Sequence, residues 1–79
     1  MTIENMTLIE IVEQIKIDWV RPFFGAVPYI NAMAKMRDVN SDYGCDDGKT
    51  IVLYFLSNAG NWRGGIARTI KAELKRRIA

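Results

Sequence analysis

One run constrains the fold of this chain more than any other: Ile51-Val52-Leu53-Tyr54-Phe55-Leu56. Its β-branched and aromatic content suits a buried strand. A strand, however, needs a neighbour for its backbone N–H and C=O groups. No second run of that content occurs in the 79 residues. Periodicity cannot type so short an apolar run, so its surroundings decide. They favour a buried helix from about Gly48 to Asn58, with Asp46 or Asp47 as its N-cap. A strand here would overturn the fold class.

The other apolar positions recur at helical spacing. Thr7-Leu8-Ile9-Glu10 has the pattern of a capping box, in which Thr7 accepts from the third helical amide and Glu10 reaches back. Leu8, Ile11, Val12 and Ile15 then form one stripe, which predicts a helix from about Leu8 to Ile17. Arg21-Pro22 marks its exit, because proline cannot continue a helix. Pro28 fits the first turn of a second helix, expected over Val27 to Met36. Ala59-Gly60-Asn61 interrupts the pattern before a last helix with Ile66, Ala67, Ile70, Leu74 and Ile78 on one side. The expected architecture is all-α: a small single-core bundle of about four short helices, forming one helical domain over residues 1–79.

Several function classes fall away on composition. The longest apolar run has six residues, against the roughly 18 needed to span a bilayer, so no membrane role is expected. The opening MTIENMTLIE lacks the basic region of a signal peptide, and Cys45 is the sole cysteine. Both point to a reducing cytoplasm. There is no histidine, the commonest general base and transition-metal ligand. Cys45 stands beside Asp46 and Asp47, whose charges disfavour a thiolate. The expectation is a chain with no enzymatic activity, no cofactor and no small-molecule substrate.

The segment from Asp38 to Thr50, DVNSDYGCDDGKT, resembles two ligand loops and completes neither. A phosphate-binding loop has four residues between its glycines, whereas Gly44 and Gly48 enclose three, two of them acidic. In a calcium loop, Asp38, Asn40, Asp42 and Asp46 would take positions 1, 3, 5 and 9. Tyr43 stands where the turn glycine belongs, and Lys49 where a glutamate should close the site. Asp, Asn, Ser and Gly are also ordinary turn formers, and an interhelical connection is the favoured reading.

Charge and aromatics supply the remaining candidates. Residues 1–59 hold five basic and eight acidic side chains; residues 60–79 hold six basic and one acidic. Arg63, Arg68, Lys71, Lys75, Arg76 and Arg77 can neutralise phosphates along a nucleic acid, with Trp62 available to stack on a base. The break before the last helix is about seven residues, longer than the three or four of a helix-turn-helix. A solvated helix face with Trp62 in the core explains the same residues. Eight aromatic rings exceed what one thin core readily hides. Trp19, Arg21, Phe23, Phe24 and Trp62 are the candidate anchors for a protein partner or self-association.

Asp18-Trp19, Phe24-Gly25-Ala26-Val27-Pro28-Tyr29, Tyr54-Phe55-Leu56-Ser57-Asn58-Ala59, Trp62-Arg63-Gly64 and Ala67-Arg68-Thr69-Ile70-Lys71-Ala72-Glu73-Leu74 together carry a resemblance. From about Asp18 to Arg77 the chain resembles small proteins encoded in phages and in prophage regions of bacterial genomes. The resemblance implies an accessory setting and assigns no catalytic or binding residue. A protein-interaction module is the expected function, with nucleic-acid binding through the basic last helix as the alternative.

Overall fold

The structure is a computed structural model that describes residues 2–40, 42–43 and 46–79. Four α-helices are present among them: α1 (Leu8–Asp18), α2 (Val27–Met33), α3 (Gly48–Ser57) and α4 (Gly65–Ile78). Short 3₁₀ turns at Ile3–Asn5 and Phe24–Ala26 precede α1 and α2. Between α2 and α3 the backbone makes one small antiparallel pairing, β1 (Asp42–Tyr43) with β2 (Asp46–Asp47). Two residues a side make no sheet layer, and the all-α class stands. The two ligand-loop readings depend on Gly44 and Cys45 and on the side chains of Asp42 and Asp46, which lie outside the described residues.

Local signals account for each helix. The Thr7 hydroxyl accepts from the Glu10 amide at 3.1 Å, and Glu10 accepts from the Thr7 amide at 2.7 Å. This closes the capping box and satisfies two of the amides left open at a helix start. Leu8, Ile11, Val12 and Ile15 are all buried. Helix α2 carries Pro28 in its first turn but is three residues shorter than expected. It tightens instead, with the Lys35 and Met36 amides donating to Ala32 and Met33 at 3.0 and 3.2 Å, and this swings Met36 and Val39 into the core.

The strand-like run is helical. Asp47 caps α3, accepting from the Thr50 amide at 2.8 Å, and that bond holds its carboxyl below the usual 3.8. Ile51, Val52 and Phe55 face inward, whereas Leu53 and Tyr54 face solvent. In α4 the core face is Ala67, Ile70 and Leu74, joined by Glu73. Ile66, expected on that stripe, is 50% exposed. The small Ala67 takes the inward place, which leaves Ile66 turned toward the groove between α1 and α4.

The buried residues of all four helices form one cluster. At its centre the Trp19 and Trp62 rings stack at 5.6 Å, and Phe55 meets both edge-on at 6.3 Å. Such pairs add about 1 kcal/mol each beyond the area they bury. The Trp62 indole donates from Nε1 to Asp18 Oδ2 at 2.7 Å, so its buried N–H is satisfied. This knot joins the end of α1, the middle of α3 and the approach to α4. No described helix is long and apolar enough to cross a membrane.

Candidate interaction surfaces

The aromatic candidates divide between core and surface. Trp19 is 8% exposed and Trp62 2%, so neither is available as an anchor or as a stacking platform. Their sequence position, next to exposed Arg21 and Arg63, gives no hint of this. What fixes it is the meeting of three rings from distant parts of the chain. Phe23 and Phe24 contact each other at 4.8 Å, tilted by 54°. Phe24 is 81% exposed, and nearby in sequence Val20 is 77% and Ile17 70% exposed. Arg21 is exposed between them.

The backbone at this place is tightly set. A Cβ on Gly25 would lie 2.6 Å from the Phe23 ring and 2.9 Å from Asn58 Oδ1. Any larger residue at 25 would have to push the Phe23 and Asn58 side chains aside, so glycine suits this turn. The Asn58 amide group is itself engaged, donating from Nδ2 to the Tyr54 carbonyl at 2.8 Å. The turn that presents Phe24 is thereby held against the bundle. Leu53 and Tyr54 are a separate exposed pair on α3, where Tyr54 meets Tyr29 edge-on at 5.6 Å.

The six cations of the chain's end also divide. Arg76 grips Glu73 through Nε at 3.0 Å and through Nη2 at 2.6 Å. Arg77 bonds the same carboxylate and donates from Nη2 to the carbonyls of Ile3 and Met6 at 3.0 and 2.8 Å. Glu73, 5% exposed, would be costly without these partners. The Arg76 bonds, then those from Arg77, pull its carboxyl down to about 2 against the opposing effect of burial. Arg76 and Arg77 therefore fasten α4 to itself and to the N-terminal turn. A sequence signal for this existed: an acid at a core-facing position with arginines three and four residues on.

Arg63, Arg68, Lys71 and Lys75 behave differently. None of them pairs with an acid among the described residues, whose salt bridges are those of Glu73. Residues 68, 71 and 75 share one face of α4. Lys71 is half-buried and donates from Nζ to the Trp62 carbonyl at 2.6 Å, 5.9 Å from the Trp62 ring centre. Burial, followed by the charges of Lys75 and Arg63, lowers its pKa from 10.5. A cleft of about 320 Å³ opens here, lined by Trp62, Arg63, Gly64, Ala67, Arg68 and Lys71.

On another side a groove of about 560 Å³ runs between α1, α4 and the N-terminal turn. Met6, Ile66 and Ile70 contribute apolar surface to it, and Glu10 and Glu13 contribute acids. Among the described residues no group of three or more acids or cysteines is placed to hold a metal ion.

No family model, curated protein or solved structure matches this chain. The surfaces themselves are what bear on function.

Proposed function

We propose that this chain is a small non-enzymatic binding protein that acts by occupying a protein partner, in the cytoplasm and in a phage or prophage setting. The observation that carries the reading is a set of exposed apolar side chains close in sequence, here called the ledge: Ile17, Val20 and Phe24, each at least 70% exposed. Among the described residues nineteen hydrophobic side chains are buried in the core, so the chain does not lack the means to hide apolar groups. Exposed apolar surface of this kind marks interaction sites. Arg21, beside the ledge, adds the residue type that joins aromatics at interface hot spots. The absence of histidine supports action without catalysis. The accessory setting rests on the resemblance carried by the segments from Asp18 to Arg77 alone.

The test is a comparative capture from host extract with three baits: the native chain, Phe24→Asp, and Leu53→Asp as a control on a separate exposed site. A partner retained by the native and Leu53 baits and lost with Phe24→Asp is expected. Equal recovery with all three overturns the reading.

A second reading is favoured by a different observation: Arg63, Arg68, Lys71 and Lys75 form no salt bridge with an acid among the described residues. A basic face without acids suits a nucleic-acid backbone. Arg76 and Arg77 supply the fold instead, so the face is smaller than the six cations suggest.

A further inference from the structure

Arg63, Arg68 and Lys71 converge on one cleft beside Gly64 and Ala67. Like charges at close range repel, and a protein ordinarily relieves them with an acid. Here no acid pairs with them among the described residues. Lys71 is not free to swing away, because the Trp62 carbonyl holds its ammonium at 2.6 Å. One of its three N–H donors is engaged there, and two remain. The two arginines bring planar forks that match phosphate oxygens. No side chain caps the start of α4, so its first amides add partial positive charge at the same mouth.

We propose that this cleft seats one phosphate group of a nucleic-acid backbone, and that Lys75 meets a neighbouring phosphate. The inference rests on the second reading above and gives it a location. The cleft volume lies at the low end of the ~300–1,000 Å³ range of small-molecule sites, which suits a phosphate with its sugar rather than a whole cofactor. The structure also sets the kind of recognition. Trp62 turns its ring into the core, and no exposed aromatic lines the cleft. Without a stacking platform or a base-reading element, contacts are to phosphate alone, and binding is independent of base sequence.

The experiment titrates the labelled full chain with two probes and follows amide shifts at low and moderate salt. One probe is inorganic phosphate. The other is a short DNA duplex without terminal phosphates, in two unrelated sequences. The expected result is that both duplexes shift the amides of Gly64 to Arg68 with equal affinity. The logarithm of that affinity falls with the logarithm of salt at a slope of about −2, as two phosphate contacts require. Arg68→Ala, an exposed substitution, weakens both duplexes alike and reduces the slope by about 1. Duplex binding with shifts elsewhere, unchanged by Arg68→Ala, overturns the cleft and leaves the nucleic-acid reading standing. Cleft shifts with inorganic phosphate and no duplex binding overturn that reading and leave a free-phosphate site. No shifts with either probe at low salt overturn both.

Discussion

At the C-terminal end of α4, Arg76 and Arg77 close on buried Glu73, and Arg77 also reaches the carbonyls of Ile3 and Met6. Along the outer face and at the N-terminal approach, Arg63, Arg68, Lys71 and Lys75 meet no acid among the described residues. The residue types are the same in both regions, and the energetics are opposite. In the first, each cation is the partner that makes a buried carboxylate tolerable. In the second, cations lie near one another and no acid among the described residues pairs with them. The difference teaches that a basic segment is not one object. Its net charge mixes cations that hold the fold with cations left for a ligand, and only the burial of the single acid sorts them.

The largest effect should come from breaking the first region. Glu73→Ala leaves the half-buried Arg77 guanidinium without its counter-ion and should cost about 3 kcal/mol, measured as a shift in the urea midpoint. A loss below about 1 kcal/mol would mean that the pair is not truly desolvated.

Acid should dissect the same contact. The Glu73 carboxyl titrates near 2 in the fold and near the usual 4.5 unfolded. A depressed pKa gives stability that is fully present above the unfolded value and is lost as pH falls through the folded one. Stability should therefore decline from about pH 5 toward pH 2, and Glu73→Gln should flatten that limb.

Next in size is the N-terminal approach to α4, inside the second region. Gly64 leads into α4 with φ of 115° in an otherwise open space. Gly64→Ala should cost about 1–2 kcal/mol through backbone strain alone. It should also disturb the cleft.

The smallest stability effects belong to the second region and to the apolar ledge. Arg68→Ala, Lys75→Ala and Phe24→Ser should each leave the urea midpoint within about 0.5 kcal/mol of the native chain. For Lys75→Ala the expected sign is a slight gain, because it relieves repulsion on Lys71. A large loss at any of the three would show a structural role and blur the contrast.

Much of the fold could be read from local chemistry. The Thr7 box, Pro28 and the Asp47 cap act within a few residues, and their structural positions follow from spacing. The run from Ile51 to Leu56 was settled by exclusion, since a lone strand has no partner. The end of α2 was not foreseen, because a tightening turn and a continuing helix use similar residues. The surfaces were harder. Trp19 and Trp62 looked like anchors because aromatics beside arginines often are, but their fate depends on a stack across more than forty residues and a bond to Asp18. No local pattern encodes that. Ile66 left its expected place on the stripe and Glu73 joined the buried face for the same reason: helical spacing identifies a stripe, while packing fixes where its centre lies. Phe23, Phe24 and Arg21 did emerge at the surface, with Phe24 the most exposed of the large hydrophobic side chains.

The most direct test sets the two regions side by side. Duplex affinity is measured across a salt series for the native chain, Arg68→Ala and Arg76→Ala, both substitutions lying at exposed positions. The account predicts that Arg68→Ala weakens binding and reduces the salt slope by about 1, while Arg76→Ala leaves both unchanged. Equal losses in the two variants would contradict it, showing that the cations of α4 act as one undivided pool of charge.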